Sequence, residues 1–195
     1  MNNLLLSGAA IGGIVGGVIA VLAIIIIIWW ISTHNKLVRM KTQIEDAFAN
    51  IDVYLKKRFD LIPNLVETVK GYAKHESETF RAVTEARAAA MKATTTSEKI
   101  DANNQLSRAM LRFNKVTENY PELKANINFM DLQGQLKAVE NELANSRKYY
   151  NATVREYNGK ILSIPTNIVA KSMKCEKQPF FEAVAEEREN VKVSF

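Results

Sequence analysis

Between Leu4 and Ile31 the chain carries no charged residue, a run of 28 positions built mainly from Ile, Val, Leu, Ala and Gly. As a helix rising 1.5 Å per residue the run is about 42 Å long, whereas the hydrocarbon core of a bilayer takes about 20 residues. It is therefore expected to span a membrane. A cleaved export signal is not expected: "MNNLLLSG" has no charged side chain, and the run ends in Trp29, Trp30 and Ile31 where a signal would place small residues. Tryptophan suits the headgroup region. Lys36, Arg39 and Lys41 follow at once with no counterpart on the N-terminal side, and that asymmetry predicts an outer N-terminus and a cytoplasmic remainder. Trp29, Trp30, Lys36, Arg39 and Lys41 are thus the expected membrane-interface residues.

The glycines of the span are not scattered. Gly8/Gly12, Gly12/Gly16 and Gly13/Gly17 are all i,i+4 pairs, which stack into a GxxxG face that another helix backbone can approach closely. The other half of the span is nearly all isoleucine. Gly8, Gly12, Gly13, Gly16 and Gly17 are therefore the expected helix-association residues, and a homo-oligomer is the expected product.

About 160 residues follow the span, enough for one domain with a core. Of the eight glycines in the chain only Gly71, Gly134 and Gly159 lie in this part, and the whole chain has four prolines. Such scarcity of turn formers reads as long helices. Leu37, Met40, Ile44, Phe48, Ile51, Leu55, Ile62, Leu65, Val69 and Tyr72 follow a 3.5 to 3.6 repeat, one long helix continuing from the span. Pro63 is expected to kink it, unless Asp60 caps a new helix with the proline in its first turn. Gly71 is the next candidate break, before a weaker stripe of Phe80, Val83, Ala86, Ala90 and Met91. Thr95 with Glu98 is a capping-box pattern, and Ile100, Leu106, Met110 and Phe113 form one face of the helix it opens. That helix ends at Pro121. The longest stripe runs through Phe129, Leu132, Leu136, Val139, Leu143, Ser146, Tyr150, Val154, Tyr157, Ile161 and Ile164. The fold class is accordingly all-α: an N-terminal transmembrane helix (1–33), a long antiparallel up-down helical bundle (34–164) and an irregular C-terminal tail (165–195). A single helix unbroken through Gly71 is the rival arrangement.

The sequence displays no catalytic constellation. His75-Glu76 would begin an H-E-x-x-H zinc motif, but Thr79 stands where its second histidine belongs, and His34 lies at the membrane boundary. Cys175 is the only cysteine, so no intrachain disulfide forms, and it has no histidine nearby to act as a base. There is no glycine-rich phosphate loop, so neither cofactor nor metal is expected. The chain is mildly basic, net +5, with both charge signs interleaved and no basic stripe among aromatics; nucleic acid is not an expected partner. The run Lys56-Lys57-Arg58 reads as a solvated face, with Asp52–Lys56 and Lys56–Asp60 paired at i,i+4 and Arg58 paired to a neighbouring helix.

Four blocks carry a family resemblance: "ANIDVYLKKRFDLIPNLVETVKGYAKHE" (Ala49–Glu76), "ENYPELKAN" (Glu118–Asn126), "ENELANSRKYYNATVREYN" (Glu140–Asn158) and "PFFEA" (Pro179–Ala183). They resemble the signature blocks of the bacterial LemA family, and the likeness extends over nearly the whole chain. The family pattern usually has a basic residue and Ile in place of Glu142 and Leu143, a local departure that leaves the heptad intact. The resemblance implies a single-span protein of the bacterial inner membrane with a cytoplasmic helical bundle. It implies no established enzymatic activity and supplies no catalytic residues, and a branch related to the family is associated with magnetosome membrane formation.

The expected function is a non-enzymatic, membrane-anchored helical scaffold that self-associates and organises or remodels the bilayer, or recruits a protein partner to it. The alternative is a transmembrane signalling or adaptor module acting on a cytoplasmic partner; a hydrolase would need a polar constellation the sequence lacks. In the tail, Ile168, Val169, Phe180 and Phe181, flanked by Lys171, Lys174 and Lys177, are candidate lipid contacts, with packing over the bundle end as the competing role for the two phenylalanines.

Overall fold

The computed structural model describes residues 2–182, with side chains from Gly12 onward. It is all-α: α1 (Asn2–Lys70), α2 (Ser77–Lys92), α3 (Thr96–Glu118), a 3-10 turn (Pro121–Ala125), α4 (Ile127–Leu162) and α5 (Thr166–Ser172). The chain divides into two compact units. One holds Met1–Gln43 with Arg155–Lys177, the other Ile44–Val154 with Gln178–Phe195, so α1 and α4 each contribute to both.

In the larger unit the stripe of α1 meets α2, α3 and α4. Ile62, Leu65, Val69, Phe80, Val83, Leu106, Met110, Phe113, Leu123 and Phe129 form one buried cluster, each large side chain contributing about 1.5–3 kcal/mol by leaving water. Phe80 and Phe113 meet edge to face at 6.2 Å. Helices α2 and α3, joined across 93–95, pack along each other. Phe48 lies against Tyr150, ring centroids 5.4 Å apart, and Arg58 against Glu140. Ten residues up α1 are thus matched by ten down α4, which makes those two helices antiparallel here.

Helix α1 runs unbroken through Pro63 and ends at Lys70, before the turn at Gly71. Asp60 does not cap a new helix, and the unbroken passage through Gly71 does not occur. A proline at position 63 cannot donate to the carbonyl of Phe59, four residues earlier. That carbonyl accepts instead from Arg87 Nε of α2 at 2.7 Å. The proline thereby turns a missing intrahelical bond into a tie between two helices.

Caps fix the other boundaries. Thr95 accepts from the Glu98 backbone N–H at 3.2 Å, while Glu98 Oε2 accepts from the N–H groups of Thr94 and Thr95, both at 3.0 Å, and from the Thr94 hydroxyl at 3.1 Å. Backbone donors chiefly, with the Thr94 hydroxyl, hold the Glu98 carboxyl down at about 2. Asn126 caps α4 by accepting from the Phe129 N–H at 3.0 Å, and its amide donates to Tyr72 Oη at 2.9 Å. Helix α4 therefore starts two residues before Phe129.

In the smaller unit Leu37, Met40, Tyr157, Ile161, Val169 and Ala170 are buried. The stretch expected to be irregular carries α5. Its end is closed by two bonds, Lys174 N–H to Lys171 O at 3.1 Å and Cys175 N–H to Ala170 O at 2.9 Å. Lys174 takes φ 52°, the left-handed position that this type of cap usually gives to glycine.

Candidate functional site

The first candidate surface is the apolar part of α1. From Gly12 to Ile28 every side chain is exposed, with Ile14, Ile19, Ile24, Ile25 and Ile28 all more than half uncovered. A run of this kind is long and apolar enough to cross a membrane. Trp29 and Trp30 at its end are partly buried; Lys36, Arg39 and Lys41 are exposed. A Cβ placed on Gly12, Gly13, Gly16 or Gly17 would meet nothing within 4 Å, so nothing in this chain's own fold asks for glycine there. Gly8 lies outside the residues whose side chains are described.

The second is polar and buried. Arg58 occupies the one step missing from the apolar stripe of α1, between Leu55 and Ile62, and is 2% exposed. Its Nε lies 2.7 Å from Glu140 Oε1 of α4, and Nη1 donates to Asn103 Oδ1 at 2.8 Å and to Ser107 Oγ at 3.2 Å, both on α3. One guanidinium thus ties three helices. Arg58 pairs with neighbouring helices as expected, but Asp52 does not pair with Lys56: its carboxylate holds Lys99 Nζ of α3 at 2.6 Å. A cleft of about 670 Å3 opens beside Arg58, lined also by Met110, Leu111, Met130, Gly134 and Lys137. Among the described residues no three His, Cys, Asp or Glu side chains are grouped to hold a metal ion.

The third is the tail. Tyr150 Oη donates to the Pro179 carbonyl at 2.8 Å, and burial pushes this hydroxyl up to about 12. Asn151 binds both backbone groups of Phe181, accepting from its N–H at 2.8 Å and donating to its carbonyl at 2.9 Å. The Arg147 guanidinium lies 4.5 Å above the Phe181 ring. Phe181 is 2% exposed, and so the expectation of lipid contact is corrected for it: its backbone and ring are both engaged by α4. Val169 is corrected likewise, being fully buried. Phe180, Ile168, Lys171, Lys174 and Lys177 are exposed. Near Cys175, burial and then the thiol itself raise the Tyr157 hydroxyl.

Asn103, Ser107, Glu140, Arg147 and Asn151 are functional-site residues beyond those expected from the sequence. A signal existed for the first two: they stand four residues apart on the buried face of α3, among Ile100, Leu106 and Met110. Polar residues inside an apolar stripe face a partner.

These features define a class: an all-helical protein carrying one N-terminal helix long and apolar enough to span a bilayer. The model described as LemA family matches residues 47–195. Protein LemA of Metamycoplasma hominis is 24% identical over 166 residues, covering 85% of this chain and 76% of that protein. The chain belongs to the LemA family. Its matched region contains the Arg58 cluster, the Pro63–Arg87 tie and the docked Pro179–Phe181 segment.

Proposed function

We propose that this protein is a non-enzymatic, membrane-anchored scaffold whose spans associate through the glycine face and whose bundle organises the bilayer or recruits a protein partner to it. The observation that carries the reading is the open glycine face of α1. Glycine in a helix costs about 1 kcal/mol relative to alanine, and no intrachain neighbour at Gly12, Gly13, Gly16 or Gly17 accounts for that cost. A close approach by a second span would account for it.

The test is the native mass of the full chain in mild detergent. Wild type should migrate as a homo-oligomer, and Gly12→Leu with Gly16→Leu should reduce its mass while leaving membrane insertion intact. Because each new side chain has open space in the monomer, a changed mass reports on contacts between chains. An unchanged mass would reduce the span to an anchor. Orientation follows the basic flank Lys36, Arg39 and Lys41: protease added to intact cells should spare 94–97, and cleavage there without lysis would reverse the assignment. One observation favours the adaptor reading as well. Helix α1 is continuous from the apolar run to Lys70, a helical connection through which a rotation of the span could reach a protein partner.

A further inference from the structure

The apolar stripe of α4 does not stay covered to its end. Ile161 is 7% exposed, but Ile164, the next stripe position, is 83% exposed, and Leu162 and Ile168 are 59% and 56% exposed. The physical reason is local: α4 stops at Leu162, the chain turns at Pro165, and α5 presents Val169 and Ala170 to the interior instead. Three large apolar side chains are left on the outside of one corner. Lys160 precedes them and Lys171 follows.

This corner belongs to the same compact unit as the apolar run of α1. Within that unit Leu37 and Met40 of α1 and Tyr157 and Ile161 of α4 are all buried. Trp30 and Lys36, which mark the end of the span, belong to the same unit. Charge separates in the same way. The ranges Met1–Gln43 and Arg155–Lys177 hold eight basic and two acidic residues, net +6, and the remainder of the chain holds eighteen and nineteen, net −1. The whole excess of positive charge thus lies in the unit that carries the span. Lys174 holds a left-handed position that glycine would take without strain, and so presents a further cation there.

We infer that the α4–α5 corner is a second membrane contact, with Leu162, Ile164 and Ile168 seated in the interface of an anionic bilayer and Lys160, Lys171 and Lys174 on its headgroups. Apolar side chains at the acyl boundary combined with flanking lysines are the chemistry that lipid surfaces select. The inference rests on the reading of α1 as a span. With two points of attachment the unit that carries the span would be fixed in its tilt to the bilayer, which a single helix would leave open.

The experiment is collisional accessibility of nitroxides on the full-length chain in vesicles of equal parts phosphatidylcholine and phosphatidylglycerol. Labels go on Ile164→Cys, on Leu22→Cys as the span reference and on Glu156→Cys as the exposed reference on α4, all in a Cys175→Ser background. At position 164 collisions with oxygen should exceed those with a water-soluble nickel chelate several-fold, approaching the Leu22 label, while the Glu156 label shows the reverse. Replacing Lys160, Lys171 and Lys174 by Gln, or omitting phosphatidylglycerol, should bring the ratio at 164 down at least two-fold. A 164 label as open to the chelate as the 156 label, with the 22 label protected, overturns the corner contact and leaves the span intact. A 22 label open to the chelate overturns the span, and this inference with it. Equal protection of 164 in pure phosphatidylcholine overturns the role of the lysines.

Discussion

Residues 12–31 and 37–69 of α1 belong to one helix and share the same aliphatic vocabulary, yet they dispose of it in opposite ways. In the first stretch apolar side chains cover every face and none is fully buried. In the second they form one stripe, and Leu37, Ile44, Ile51, Leu55, Ile62, Leu65 and Val69 are all at most 5% exposed. A helix apolar all round requires an apolar solvent, and a helix apolar on one side requires a protein partner. What differs between the two stretches is where polarity is allowed. The first admits none. The second admits one buried cation in its stripe, Arg58, and supplies it with a carboxylate, an amide and a hydroxyl.

The largest effect that tests this comparison is removal of that cation's partner set. Glu140→Ala removes the carboxylate 2.7 Å from the buried guanidinium and should lower stability by about 3–5 kcal/mol in denaturant titration of the full chain. Arg39→Ala, at an exposed basic position of the same helix, should stay within about 0.5 kcal/mol of wild type. Equal effects at the two sites would mean that the buried cation in the stripe of 37–69 depends on its partner no more than an exposed charge of the same stretch does.

A smaller effect is expected at the proline. Arg87→Ala strips the Phe59 carbonyl of its donor and should cost about 1–3 kcal/mol. In a Pro63→Ala background the backbone N–H returns to that carbonyl, so the same Arg87→Ala change should cost less. A full, additive loss in the double variant would mean that Arg87 acts through something other than the carbonyl.

The smallest is at Glu98. Its carboxyl titrates at about 2 in the fold against 4.5 for the free group, so its stabilising share is present above 4.5 and is lost as pH falls toward 2. Wild type should exceed Glu98→Gln in stability near neutrality, and the gap should close across that interval. A gap that is constant with pH would assign the effect to the loss of a contact and not to charge.

Much of this was legible in the sequence. The α1 stripe, the α3 face and the capping box are local patterns, and each follows from the spacing of residues within a few turns. The gap at position 58 of the stripe was legible too, since a heptad with one charged member must satisfy that member internally. The rest depended on residues far apart in the chain. Nothing near Pro63 announces Arg87, 24 residues on, and nothing near Asp52 announces Lys99 in place of Lys56. Ile164 continued the stripe by spacing, but the helix ended before it. For Phe181 lipid contact and packing over the bundle end stood open together until Asn151 and Arg147, some 30 residues earlier, were brought alongside.

The central claim is that residues 12–31 lie within a bilayer while the remainder of α1 packs in protein. Alkaline carbonate extraction of membranes from cells making the full chain tests it most directly. The protein should stay in the membrane pellet, and a variant with Leu22→Arg and Ile25→Arg should pass into the supernatant, because charge at the centre of a span costs about 2.5–3.5 kcal/mol per residue. Wild-type protein released by carbonate would contradict the account.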